Sequence, residues 1–154
     1  MRILAIDPGN ELSAWCALRN GLPYDSDKVE NRTLLEVLRD DVWSAEHDLL
    51  AIEMIASFGM PVGREVFDTV LWIGRFLEAW DRRGGRHVLV YRKDVKLFHC
   101  ESVRATDANI RAAIIDRFGP GKSKAIGTKA AKCPLYGIKG DEWSALAVAL
   151  KAAA

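Results

Sequence analysis

The chain has 154 residues, of which 49% are hydrophobic and 28% charged, and its formal net charge is +1. That is the length of one domain, which excludes a fusion of two large ones, and the composition is enough for a buried core. No stretch approaches the ~20 consecutive apolar residues of a membrane span, and three scattered cysteines (Cys16, Cys100 and Cys133) without a Cys-x-x-Cys pair exclude a disulfide scaffold or a zinc ribbon.

The opening run Met1 to Asp7 meets an acid too early for a secretory leader, so a cytoplasmic protein is expected. Arg2 to Ile6 reads as a central strand stopped by Asp7-Pro8-Gly9, with proline and glycine suited to a turn. Residues 12 to 19 continue as a second strand, and Asn20-Gly21 is a hairpin signal leading into a third strand over 22 to 29. Asn31 is suited to cap a helix carrying Leu34, Leu35, Leu38 and Val42 on one face and ending between Trp43 and Glu46. Leu49 to Ile55 is apolar almost without alternation, as in a strand covered on both sides, and Glu53 is its one charge.

A long helix is expected from Arg64 to Arg83. Phe67, Val70, Leu71, Gly74 and Leu77 form one apolar stripe on it, and Trp72, Ile73, Phe76 and Trp80 a second, so two burial partners are required. Gly84-Gly85 ends it, and His87 to Tyr91 make a fifth strand. A short element at Val95 to His99, a helix from Thr106 to Phe118 and an alanine-rich helix from Asp141 to Ala152 complete the chain. Strands followed by alternating helix and strand indicate an α/β layer fold with a mixed sheet and one domain over residues 1–154.

The small net charge hides an asymmetry, because residues 1 to 53 are predominantly acidic and the rest predominantly basic. Residues 117 to 140 hold Arg117, Lys122, Lys124, Lys129, Lys132 and Lys139 and no acid. This stretch is either a solvated loop or a mobile arm that neutralises phosphates.

Asp7, Glu53 and Asp141 each interrupt apolar sequence. A turn aspartate and a helix cap account for Asp7 and Asp141 taken singly, but Glu53 inside an apolar strand is costly unless it is paired or bound to a cation. Acids delivered to one end of a sheet make a cluster that only a divalent cation or a raised pKa stabilises, and a Mg²⁺ site is the economical explanation. Glu142 is a further candidate ligand, although it points about 100° away from Asp141 along a helix. Among other constellations, His99 and Cys100 diverge in direction, His47 and His87 lack ligand spacing, and Gly119-Pro120-Gly121-Lys122-Ser123 lacks the full phosphate-loop spacing, so no nucleotide or other small-molecule cofactor is expected.

Four segments together carry a resemblance. Ile3-Leu4-Ala5-Ile6-Asp7-Pro8-Gly9, Ala51-Ile52-Glu53, Arg92-Lys93-Asp94-Val95-Lys96 and Gly140-Asp141-Glu142-Trp143-Ser144 through Leu150 resemble, in order, the motifs of RuvC-type Holliday-junction resolvases. Gly127-Thr128-Lys129 through Tyr136-Gly137 is similar to the bacteriophage-encoded branch. The resemblance implies a ribonuclease-H-like fold, a five-stranded mixed sheet with helices on both faces, and a Mg²⁺-dependent endonuclease (Mn²⁺ as substitute) that cuts branched DNA. It also implies a homodimer, and the cytoplasm of a bacterial host if the gene is phage-borne. It maps the metal ligands to Asp7, Glu53 and Asp141 and places Ser144 where cellular members carry a second aspartate, so that either Glu142 or a water takes that place or substrate phosphate mainly holds the second ion.

Lys96 is then a candidate catalytic group. Lys93, Lys96, Arg104, Lys122, Lys124, Lys129, Lys132 and Phe58 are candidate DNA contacts, Phe58 and Met60 as wedges at unpaired bases. Lys93 and Lys96 are equally well read as exposed lysines at a helix start, and Phe58 and Met60 as residues packed under a loop. Trp72, Phe76 and Trp80 are candidates for the dimer interface, and a three-layer core accounts for them equally well. The rival functions are a ribonuclease-H-like nuclease acting on RNA or hybrids, and a catalytically silent junction-binding protein.

Overall fold

The apolar opening run forms β1 (Arg2–Asp7) in the computed structural model, which describes Met1 to Ala154. Strands β2 (Leu12–Arg19) and β3 (Leu22–Glu30) follow as a meander. Asn20 and Gly21 both adopt positive φ, 50° and 81°, as a two-residue hairpin turn demands. After α1 (Asn31–Arg39) and α2 (Asp41–Glu46) come β4 (Leu49–Met54), α3 (Arg64–Asp81) and β5 (His87–Tyr91). The chain closes with α4 (Arg92–Cys100), α5 (Asp107–Phe118), α6 (Lys122–Ala125) and α7 (Glu142–Ala152). The sheet order is β3-β2-β1-β4-β5, antiparallel within the meander and parallel from β1 through β4 to β5.

Strand alternation divides the interior into two layers. Ile3 and Ala5 of β1 join Cys16, Leu18 and Ala51 under α7, whereas Leu4 and Ile6 join Trp15, Leu50 and Ile52 under α1 and α3. The small side chains of the run Ala145-Leu146-Ala147-Val148-Ala149 let α7 sit close against the sheet, and none of the five has exposed surface.

Five sequence expectations are changed, the last of them in α3. The helix starting at Asn31 breaks at Asp40, which is extended and accepts a hydrogen bond from the Val42 backbone through its own side chain. Asn31 caps nothing. It is buried, donates to the Gly9 carbonyl at 2.8 Å and accepts from the Ser13 hydroxyl at 2.5 Å, and so clamps the loop that follows Asp7. The short element at Val95 is a full helix, α4, entered from β5 with no linker. The cation-rich stretch is a folded turn rather than a detached arm: Thr128 and Ala131 bond each other's backbones, Gly127 bridges Lys132, and Leu135 and Ala125 are fully buried.

Only one stripe of α3 is buried, through Ile73, Phe76, Ala79 and Trp80. Phe76 and Trp80 are wholly inside the protein and are not available to a partner, which corrects their assignment to an interface. The exposed apolar groups of α3 are Phe67, Val70 and Leu71.

Candidate active site

Strands β1 and β4 run parallel, with Ile6 opposite Ile52 as their last pair. Asp7 and Glu53, one residue further, therefore leave the sheet side by side. Period-two alternation puts both on the α7 side, with Ala5 and Ala51 of that layer. The first turn of α7 begins on the same face and brings Asp141 in from above. On the other flank, Ala14 of β2 pairs with Asp7, and Lys28 of β3 pairs with Ala14, so Asp7, Ala14 and Lys28 form one row across three strands. The Lys28 Nζ lies 2.5 Å from Asp141 Oδ2.

Glu53 is 15% exposed, and its Oε2 atom is buried with no hydrogen-bond partner. The nearest cation is the Arg92 guanidinium, whose Nη1 is 3.6 Å from that oxygen and which also pairs with Asp107. Arg92 is the first residue of α4, directly after the strand that pairs with β4. Burial pushes the Glu53 carboxyl above its usual pKa range, while Arg92 and then Lys96 pull it down. Asp7 is pushed up to about 7, first by burial and then by the negative charges of Glu53 and Asp141, against the opposing pull of Arg92 and Lys28. Asp7 thus lies within reach of the charges of both other acids.

The donor set fits a hard divalent cation: three carboxylates from three elements, one with an orphaned buried oxygen. As they stand, no three acid, histidine or cysteine groups close on a common centre. Asp141 is turned to Lys28 and Glu53 faces Arg92.

The remaining sequence-predicted residues fall into separate places. Glu142 is 3% exposed and accepts a 2.6 Å hydrogen bond from the Ser26 hydroxyl of β3. Its charge bears on Cys16, whose thiol is pushed up to about 12 by burial first, then by Glu142 and Asp25. The structure thus brings Glu142 to the β2–β3 flank and not to the other acids. Ser144 lines a cleft with Arg92, Asp107, Arg111, Asp141 and Trp143, leaving a neutral hydroxyl beside Asp141. His99 bonds the Ala147 carbonyl at 3.0 Å and fastens α4 to α7.

Phe58, Lys93 and Lys96 come together with Arg92 and Val103 around one cleft. Phe58 is 73% exposed at the tip of a turn closed by the Met60 amide on the Ser57 carbonyl, with φ of 50° at Phe58 itself. Met60 is exposed beside it. Arg104 is exposed in the loop between α4 and α5, next to Val103. Lys122 and Lys124 are exposed on α6, which packs on α5. Lys129 and Lys132 are exposed on the folded turn, which borders Pro23 to Ser26 of β3.

Two residues of the site, Arg92 and Lys28, do not stand out in the sequence. Arg92 heads the third resemblance segment, and that is its only signal. Lys28 owes its place to an irregularity in the β2–β3 register between Ala17 and Leu18.

No family model matches the sequence, and no curated protein matches it. Solved structures do match. The chain is similar to RuvC of Thermus thermophilus in complex with a Holliday junction substrate, with a TM-score of 0.73 at 15% identity over 99% of this chain and 93% of that one. It is similar to a second Thermus thermophilus RuvC structure with a TM-score of 0.69, again at 15% identity over 99% and 93%. The ribonuclease-H-like fold expected from the sequence, a five-stranded mixed sheet with helices on both faces, is the fold of this chain. None of its helices is long and apolar enough to cross a membrane.

Proposed function

We propose that this protein is a divalent-metal-dependent endonuclease that cuts branched DNA, with the Holliday junction as its main substrate. The reading is carried by Asp7 and Glu53 leaving adjacent parallel strands side by side, with the charge of Asp141 reaching Asp7, and by the cleft lined with Arg92, Lys93 and Lys96. The likeness to a RuvC solved with a Holliday junction supports the choice of substrate.

Asp7, Glu53 and Asp141 would hold Mg²⁺, with Mn²⁺ as its substitute. The bound ion supplies Lewis acidity to the phosphodiester and its attacking water. Arg92 and Lys96 stand beside Glu53 and offset charge that grows on the phosphate oxygens. Lys93 extends that cationic wall along the strand. Phe58, carried outward on its turn, stacks on an unpaired base at the branch point. Arg104, Lys122, Lys124, Lys129 and Lys132 neutralise phosphates of the arms. Glu142, held by Ser26, fixes the start of α7 and with it the position of Asp141. Symmetric cutting of a four-way junction calls for two copies, and the exposed Phe67, Val70 and Leu71 of α3 are the surface we assign to that contact.

The test compares a four-way DNA junction with duplex DNA and an RNA–DNA hybrid in Mg²⁺. Preferential junction cutting, abolished in Asp7→Asn and Glu53→Gln while junction binding persists, supports the proposal. Preferential hybrid cutting favours the ribonuclease reading. Binding without cutting in either Mg²⁺ or Mn²⁺ favours a silent binder, the reading that the neutral Ser144 beside Asp141 would explain.

A further inference from the structure

The inner face of the edge strand β3 reaches the start of α7 through two side chains two residues apart. Ser26 bonds Glu142, and Lys28 bonds Asp141 at 2.5 Å. Lys28 is the sole cation on a strand that also carries Asp25, Asp27 and Glu30. None of those strand neighbours pairs with its ammonium, and Asp27 instead accepts from the Lys28 backbone amide.

We propose that Lys28 is the resident counter-ion of the acid cluster, occupying Asp141 in the metal-free protein and leaving it when a divalent cation loads. The inference rests on the reading of Asp141 as a metal ligand. Three features support it. Lys28 holds an oxygen of Asp141, the acid that would have to turn toward Asp7 and Glu53 for the three to share an ion. The Lys28 side chain is 43% exposed, and a long flexible stem lets its ammonium swing into solvent without disturbing packing. By contrast Arg92, the second cation of the site, is tied to both Glu53 and Asp107 and is less exposed, at 27%.

The pair is exposed enough that parting costs little, so Lys28 weakens metal affinity by a modest factor rather than blocking the site. Mn²⁺ titration of the full chain, followed by the resonance of the free ion, reads this without any cleavage assay. Lys28→Met, with Lys28→Gln as a second variant should the first not fold, is expected to bind Mn²⁺ about threefold to fivefold more tightly than wild type. Lys28→Arg keeps the counter-ion and is expected to bind as wild type does. Lys96→Met removes a charge that acts on Glu53 only through space and is expected to gain less than Lys28→Met.

Wild-type binding with no gain in the Lys28→Met and Lys28→Gln variants overturns the inference and leaves the metal reading intact. An equal gain in Lys96→Met also overturns it, since general electrostatics then suffices. Absence of Mn²⁺ binding in wild type and in every Lys28 variant overturns the metal reading, and this inference falls with it.

Discussion

Asp7 and Glu53 emerge from adjacent parallel strands at the same level, one residue past the pair Ile6 and Ile52, and face the same side of the sheet. Burial first, and then the neighbouring charges of Glu53 and Asp141, make ionisation of Asp7 costly.

The first prediction concerns pH. In the unfolded chain Asp7 loses its proton near 3.8, and in the folded protein it keeps the proton to about 7. Between those values the folded state binds more protons than the unfolded one, so the stability of the metal-free protein falls as pH rises through the window. Asp7→Asn removes that dependence. In the presence of a chelator its thermal midpoint should exceed that of wild type at pH 8, with the gap closing below pH 4. A gap independent of pH contradicts the assignment.

Gly9 is required by space. A Cβ there would lie 2.3 Å from the backbone carbonyl oxygen of Leu12, the first residue of β2, while Asn31 and Ser13 clamp Gly9 itself. Gly9→Ala should cost about 1 to 3 kcal/mol, seen as a lower urea midpoint at unchanged slope. It should also impair cleavage, because the loop sets the end of β1.

Phe58 separates folding from function. A bulky residue at φ of 50° is strained, and its ring is 73% exposed, so Phe58→Gly should leave the thermal midpoint unchanged or raise it. Junction affinity should fall about tenfold in the same variant, the loss of one stacked base. Full affinity retained would remove Phe58 from the DNA surface.

Lys129 and Lys132 stand on an ordered turn, so their charges have fixed positions. Replacing both with alanine should weaken binding alike across sequences and reduce the slope of log affinity against log salt by about one for each phosphate that is no longer neutralised. An unchanged slope would mean that this turn does not touch DNA.

The layers and most elements were legible because apolar period and turn residues set them. Asp7, Glu53 and Asp141 were legible because each is an acid at the edge of apolar sequence. Lys28 was not, and β3 shows why. The hairpin at Asn20-Gly21 starts with Arg19 opposite Leu22 and Leu18 opposite Pro23, then slips by one residue so that Ala17 meets Asp25. That irregularity decides which face each later residue takes. Without it Asp27 would stand opposite Ala14 and the row would carry a further acid; with it Lys28 does. Asn31 misled for a related reason, since an asparagine at a helix start satisfies the capping pattern whether it bonds its own helix or, as here, the distant Gly9. The stripe of α3 with Phe67, Val70 and Leu71 has the composition of a core face, but those three side chains are exposed.

Asp141 rides on a helix whose residues from Ala145 to Leu150 have no exposed surface. Amide protons along that helix are expected among the best protected in the molecule, with opening free energies near the global value. Asp141 is thereby carried at the head of a helix anchored through its buried length, whatever the acid's own exposure.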